Sequence, residues 1–150
     1  MPASAQNIHG TAILVGECGV LVTGPSGAGK TTLALALIDH CRWRGLFSRL
    51  VGDDQLFAAA HGEKLVCHAP ETIAGLAEVH GIGPRKMPFE PSAVIDLVVR
   101  LVPEGGMARL QDEATETIAG CAVPRIDVVR QNAAAALPAL LARLCIAPFS

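Results

Sequence analysis

The chain has 150 residues, of which 51% are hydrophobic, 17% charged and 3% aromatic, and its net charge is −2. This composition indicates one globular domain, 1–150, and excludes a disordered chain. The weak charge and the few aromatics argue against nucleic-acid binding, and no apolar run approaches the roughly 20 residues of a membrane helix. We find no signal peptide, and the five cysteines include no C-x-x-C pair. We therefore expect a cytoplasmic protein with reduced thiols that binds neither nucleic acid nor membrane.

The first part of the chain predicts a β-hairpin. Two β-rich runs, in the 12–16 region and at 20–24, flank a tight turn that we place at Glu17-Cys18. Following that register along both strands brings His9 opposite Ser26. We therefore expect the imidazole of His9 to lie close to the segment around Ser26.

The elements that follow alternate between helical and extended patterns. In chain order they are a helix over 31–43, a strand over 48–54, a hairpin over 55–69 that turns at His61-Gly62, a short helix passing into an extended run over 70–84, an irregular loop over 84–91, strands over 92–103 and 121–129, and a helix over 137–145. The strand–loop–helix–strand start indicates an α/β fold, and the hairpins favour a mixed sheet over a purely parallel one.

Residues 24–31, GPSGAGKT, match the phosphate-loop (P-loop) pattern G-x-x-x-x-G-K-[ST], with a predicted strand before them and a helix after. In such a loop, backbone N–H groups and the helix amino end face phosphate oxygens, the Lys contacts the β and γ phosphates, and the hydroxyl binds Mg²⁺. We find no N-K-x-D element for guanine, so ATP is the expected nucleotide. The predicted nucleotide-binding residues are Gly24, Pro25, Ser26, Gly27, Ala28, Gly29, Lys30, Thr31 and Thr32.

Two aspartates are candidates for the chemistry beside the phosphates. Asp53 and Asp54 end a predicted strand, and ligands of open α/β sheets collect at the carboxyl ends of strands. One of the pair can stay ionised near Mg²⁺ while the other takes a proton from an incoming hydroxyl. Asp96 is less suited because apolar residues surround it in a predicted strand. Glu78, alone in an apolar run, is by itself typical of a solvent-facing position.

Taken together, several segments resemble the catalytic domain of the HPr kinase/phosphorylase family in its short alphaproteobacterial form. That family phosphorylates a serine of the phosphocarrier HPr, and many members also reverse the reaction. The resemblance implies a fold similar to phosphoenolpyruvate carboxykinase, with a P-loop on a mixed sheet. The segments that carry it are HG at 9–10, GVLVTGPSGAGKTTLALAL at 19–37, LVGDD at 50–54, LAEVHGIG at 76–83 and ARL at 108–110.

The resemblance also implies roles for individual residues. Asp54 falls on the family's proton-transfer residue, which leaves Asp53 beside the metal. His80 stands where an Arg is common. The catalytic residues implied are His9, Lys30, Asp54 and Arg109. The metal ligands are Thr31, Glu78 and Asp53.

The expected function is therefore that of an ATP- and Mg²⁺-dependent serine kinase acting on HPr. The resemblance also implies a ring-like homo-oligomer, such as a hexamer. Two alternatives stay open. One is a small-metabolite kinase, for whose Arg-rich lid only the PRK at 84–86 is available. The other is a regulatory module that senses ATP without transferring phosphate.

Overall fold

The computed structural model describes residues 5–149, so both ends of the predicted domain 1–150 lie outside the described residues. Two α-helices, α1 (Lys30–Trp43) and α2 (Ala133–Leu144), and one 3-10 turn (Glu71–Ile73) accompany the strands. The strands are β1 (Gln6–His9), β2 (Thr11–Val15), β3 (Cys18–Thr23), β4 (Ser48–Gly52), β5 (Gln55–His61), β6 (Lys64–His68), β7 (Leu76–Val79), β8 (Gly83–Lys86), β9 (Ala93–Val102), β10 (Ala114–Ile118) and β11 (Cys121–Val129). No helix within 5–149 is long and apolar enough to cross a bilayer.

The main sheet is mixed, which confirms the predicted α/β fold class. Its strands follow the order β1-β5-β6-β9-β3-β2-β4, and β11 lies beside β9 with β10 outside it. Strands β3 and β11 run parallel to β9, and β4 runs in the same direction because both β3 and β4 are antiparallel to β2. Strands β3, β4, β9 and β11 therefore run in one direction, and the carboxyl ends of such strands are where these sheets bind ligands.

Apolar residues fill both faces of the sheet. One core cluster joins α1 and α2 to the strands, with Leu33, Leu37 and Leu140 fully buried. The described members of the second cluster all come from strands, among them Leu21 and Leu56, so the curled sheet covers this face itself. The alternation of Val20, Leu21 and Val22 between the two clusters in β3 is the period-2 pattern of a strand buried on both sides.

A bulge marks the middle of the sheet. The register of β3 against β9 shifts between Gly19 and Val20, and Asp96 is the extra residue of β9. An Asp96 carboxylate oxygen accepts a hydrogen bond from the N–H of Gly19 at 3.0 Å. A Cβ on Gly19 would lie 1.9 Å from the carbonyl oxygen of Val94, so only glycine fits there. Asp96 is thus mid-strand, as expected.

The first hairpin is confirmed, but it turns one residue earlier than predicted. Val15 pairs with Cys18, so Gly16 and Glu17 form the turn that we placed at Glu17-Cys18. Gly16 has a φ of +59°, and two-residue turns favour glycine where φ is positive.

The expected pairing of His9 with Ser26 is wrong. His9 belongs to the separate strand β1, which pairs with β5 and places His9 opposite Gln55. The chain leaves the hairpin at Gly10, where a Cβ would lie 3.0 Å from the carbonyl oxygen of Val22. The one-residue break at Gly10 therefore separates His9 from the hairpin register.

Most other elements agree with the sequence patterns, and the exceptions are local. The second hairpin turns at Gly62 and Glu63 rather than at His61-Gly62. Strand β8 occupies the first half of the predicted irregular loop 84–91, and β10 was not predicted. Helix α2 starts at Ala133 rather than 137 because the Asn132 side chain caps it, accepting a hydrogen bond from the N–H of Ala135.

Candidate active site

A cavity of about 730 Å³ opens at the edge where the four parallel strands end. Its walls are the loop after β3, the turn after β4, the segment after β11 and the β7–β8 hairpin. The volume is typical of a small-ligand pocket. Each wall follows or joins a regular element, so the scaffold fixes the side chains that face the cavity.

The predicted P-loop forms one side of this cavity. The ammonium of Lys30 donates to the carbonyl oxygens of Gly24 at 3.0 Å and Pro25 at 3.1 Å. Ala28, within the loop, is buried. The two glycines of the pattern, Gly24 and Gly29, have φ values of +155° and +93°, which residues with a side chain rarely adopt, and Gly27 between them has a φ of +80°. The predicted nucleotide-binding residues that line the cavity are Ser26, Gly27, Gly29, Lys30, Thr31 and Thr32.

Asp53 is the centre of the hydrogen bonds beside the loop. Its carboxylate is buried, with 4% exposure, and lies 2.9 and 3.0 Å from the hydroxyl of Thr31. It also accepts from the Thr11 hydroxyl at 2.7 Å, the Asp54 N–H at 3.0 Å and the Glu78 N–H at 2.7 Å. These donors tie the P-loop helix, strand β2 and strand β7 to one carboxylate, which satisfies the buried charge.

Asp54 differs from its neighbour in exposure and in backbone conformation. It is exposed, lines the cavity and has a φ of +70°, a left-handed conformation that is uncommon for a residue with a side chain. The Gln55 N–H donates to the Asp53 carbonyl oxygen at 2.9 Å and closes a tight turn. Asp54 is therefore open to a bound substrate, whereas Asp53 lines the same cavity with a carboxylate that is almost fully buried by its donors.

The β7–β8 hairpin supplies the opposite wall. Glu78 and His80 are exposed and line the cavity, as does Ile82 at the hairpin turn. The exposed position expected for Glu78 is confirmed, and its side chain faces the cavity. The hydrogen bond from the Glu78 N–H to the Asp53 carboxylate fixes the hairpin beside the P-loop.

The oxygen donors at this edge fit Mg²⁺. The Thr31 hydroxyl and the carboxylates of Asp53 and Glu78 are hard oxygen ligands. Within residues 5–149, no three His, Cys, Asp or Glu side chains form a complete protein metal site. That is compatible with Mg²⁺, which proteins usually hold through one or two carboxylates together with substrate phosphates and water.

Two residues with implied catalytic roles lie outside the lining of this cavity. His9 is exposed at the end of β1, next to Gly10, whose N–H donates to the Asp54 carbonyl oxygen at 3.2 Å. Arg109 is in the loop between β9 and β10 and lines a second cavity of about 710 Å³ with Arg125 and Arg143. The catalytic roles of His9 and Arg109 stay predictions.

Sequence reasoning missed Thr11 and Gln131. Thr11 is fully buried under Asp53, and Gln131 follows β11 and contacts the P-loop. The only sequence signal for Gln131 is its place just after a strand that turns out to be parallel to β9. Thr11 carries no signal because its partner is distant in the sequence.

Comparisons with known proteins give a consistent result. The family model of the HPr serine kinase C-terminal domain matches residues 2–137. The chain is 36% identical over 138 residues to the HPr kinase/phosphorylase of Limosilactobacillus reuteri (strain DSM 20016), covering 84% of this chain and 41% of that protein. It is 40% identical over 82 residues to the HPr kinase/phosphorylase of Halalkalibacterium halodurans, covering 54% of this chain and 24% of that protein.

A solved structure, of the Hpr(Ser) kinase/phosphatase from Coxiella burnetii, superimposes with a TM-score of 0.74 at 29% identity and covers 93% of both chains. By contrast, the chain spans about two fifths of the length of the curated relative from L. reuteri. The family model covers most of the chain, including the P-loop, the Asp53-Asp54 pair and Glu78. The chain therefore belongs to the family of the HPr serine kinase C-terminal domain.

Proposed function

We propose that this domain transfers the γ-phosphoryl group of ATP to a serine of an HPr-type phosphocarrier. The observation that carries the proposal is the contrast at one cavity wall: buried Asp53 is hydrogen-bonded to Thr31 of the P-loop, and exposed Asp54 follows it directly. A nucleotide-holding group and an accessible proton acceptor thus lie side by side, as phosphoryl transfer to a hydroxyl requires.

The P-loop binds the nucleotide in this proposal. Its backbone N–H groups and the amino end of α1 would face the phosphates, and the Lys30 ammonium would neutralise their charge. Mg²⁺, when bound, supplies further neutralisation of the phosphate oxygens. Thr31, Asp53 and Glu78 are the residues that would hold it.

Transfer requires the serine hydroxyl to lose its proton as it attacks. Asp54 accepts that proton, the serine oxygen forms a bond to the γ-phosphorus, and the bond to the β-bridging oxygen breaks to release ADP. In the reverse direction Asp54 would take a proton from inorganic phosphate. The names of the curated relatives, kinase/phosphorylase, support including this reversal in the proposal.

The partner and the assembly are part of the same proposal. HPr is the substrate indicated by the names of the relatives. We also propose a cytoplasmic homo-oligomer, such as a hexamer, in which one subunit helps to present HPr to its neighbour. Light scattering that finds a strict monomer at high concentration would contradict the assembly.

The alternative of a small-metabolite kinase receives less support. Its Arg-rich lid would have to come from the PRK segment at 84–86, and these residues form strand β8 of a regular hairpin. The alternative of an ATP sensor differs from our proposal only in the outcome of a transfer assay.

That assay uses labelled ATP and purified HPr, with a reaction lacking HPr as the control. We expect label on HPr, and Lys30→Ala should lower the transfer rate by about 10³-fold or more because it removes a cation that faces two phosphates. Lys64→Ala, at the exposed start of β6, is the matched charge control and should keep the wild-type rate. ATP binding without label on HPr would favour the sensor, and full activity of Lys30→Ala would remove the P-loop from the mechanism.

A further inference from the structure

Gln131 contacts the outer side of the P-loop. It follows β11, two residues after Val129, and lines the same cavity as Lys30. Its side-chain amide donates to the Gly27 carbonyl oxygen at 2.9 Å, and its backbone N–H donates to the Ala28 carbonyl oxygen at 2.8 Å. One residue that follows a distant strand thus holds two successive carbonyl groups of the loop.

The backbone of Gln131 is adapted to this contact. Its φ of +57° is in the left-handed region, which is unfavourable for a residue with a side chain. Such a conformation persists where the surrounding structure determines it, and it clusters at binding sites. A Cβ on Gly29 would come within 3.6 Å of the Gln131 backbone, so the loop and Gln131 pack closely.

These bonds decide where loop N–H groups point. Peptide units are planar and trans, so a carbonyl held on one side turns the N–H of the same unit to the other side. The Ala28 carbonyl and the Gly29 N–H belong to one unit, and the bond from Gln131 therefore turns the Gly29 N–H away from Gln131. Gly29 lines the cavity, where converging N–H groups bind phosphate oxygens.

We propose that Gln131 is a positioning residue that clamps the P-loop in its phosphate-binding form. The proposal rests on the proposed function in one respect, namely that the loop receives nucleotide phosphates. Gln131 acts only through Gly27 and Ala28 and takes no part in proton transfer.

Two variants separate this role from a purely structural one. Gln131→Met keeps the length of the side chain and removes the donor. Gln131→Gly also removes the donor, but it relieves the left-handed backbone, so its unfolding temperature should stay level or rise. Since both lack the amide, both should raise the Kd for MgATP and for MgADP about 3- to 10-fold, as expected for one neutral hydrogen bond.

Hydrogen exchange of the backbone N–H groups of residue 24 and residues 26–31, measured on the protein without nucleotide, tests the clamp independently of ATP. We expect faster exchange in both Gln131 variants. The control is Gln111→Met, because Gln111 also bonds backbone groups with its amide, donating to the Asp127 carbonyl oxygen at 2.6 Å and accepting from the Asp127 N–H at 2.9 Å. Gln111 lines the second cavity and not the one beside the P-loop, so the exchange of the P-loop amides and the Kd for MgATP in Gln111→Met should match the wild type.

Unchanged exchange in Gln131→Met would overturn the clamp, and so would an equal acceleration in Gln111→Met. Faster exchange with an unchanged Kd would overturn the positioning role. If the wild-type protein bound no MgATP, the proposed function would fail, and the exchange result would still decide the clamp: faster exchange supports it and unchanged exchange overturns it.

Discussion

Asp53 and Asp54 are adjacent in the sequence but reach different surroundings, because Asp54 adopts a left-handed φ of +70°. Asp53 turns inward to the donors of Thr11, Thr31 and Glu78, and Asp54 stays at the cavity surface. A carboxylate that already accepts several hydrogen bonds is poorly placed to receive a substrate proton. The geometry therefore supports the assignment of Asp54 as the proton acceptor.

This assignment predicts a separation of binding from chemistry in Asp54→Asn. The variant keeps the size of the side chain and removes the proton acceptor, so MgATP should bind with near-normal affinity while transfer to HPr falls by about 10²-fold or more. Calorimetry and the labelled-ATP assay measure the two effects. If Asp54→Asn loses MgATP binding, Asp54 belongs to the metal site and the roles of the two aspartates are exchanged.

Thr11 should matter for stability rather than for substrate contact. Thr11→Val keeps the shape of the side chain but removes a donor from the buried Asp53 carboxylate, which should cost about 1–3 kcal/mol of unfolding free energy. Urea denaturation measures this loss. Thr117→Val, on the exposed side of β10, is the matched control and should change stability by less than about 0.5 kcal/mol. Equal stability of the two variants would mean that the Thr11–Asp53 bond contributes nothing.

At the level of elements, the bulge in β9 fixes the pairing at the start of β3, the strand that leads into the P-loop. Gly19→Ala should disrupt this pairing, because its Cβ would lie 1.9 Å from the Val94 carbonyl oxygen. We expect a loss of at least about 1–3 kcal/mol, the usual range for overpacking. Gly106→Ala is the milder control, since the nearest atom to its Cβ is at 3.0 Å and the residue is exposed. Thermal unfolding compares them, and a native-like Gly19→Ala would show that the two strands separate at little cost.

The elements also show which structure the sequence could predict. The P-loop, α1 and β9 follow from local patterns, namely the glycine spacing, the Ala-Leu run and the β-branched run. The separation of β1 from the first hairpin could not be predicted locally, because it depends on the pairing of β1 with β5, which lies far along the chain. The tertiary pairing of β1 with β5, and not the local sequence pattern, determines where His9 lies.

The same limit applies to the candidate site. The motif pattern identifies Lys30, Thr31 and the aspartate pair, since their chemistry depends on neighbours in the sequence. Thr11 and Gln131 act through bonds to residues 42 and 104 positions away, so no local pattern marks them. Residues that support a site from a distance become visible only when the strand order is known.

At the level of the whole molecule, the sheet is buried on both faces, and this places a cysteine where ionisation is unfavourable. Cys67 of β6 is fully buried, and burial raises the pKa of its thiol from 9.0 to about 12. The unfolded chain would release this proton near pH 9, while the folded chain retains it. Stability from this thiol is therefore complete below pH 9 and is lost as the pH rises towards 12.

This linkage predicts an alkaline loss of stability with a defined slope. Between about pH 9 and 12, the Cys67 thiol can lower the unfolding free energy by up to about 1.4 kcal/mol per pH unit. The chain has no tyrosine, so fewer groups compete in this window, although burial also raises the pKa of Cys18, to about 11. Urea denaturation from pH 8 to 11 should give a flatter slope in Cys67→Ala than in the wild type, even though the variant starts from a lower stability. Cys145→Ala, at an exposed thiol, should keep the wild-type slope. An unchanged slope in Cys67→Ala would show that this thiol ionises alike in the folded and unfolded chains, and that the strand-covered face of the sheet admits water at β6.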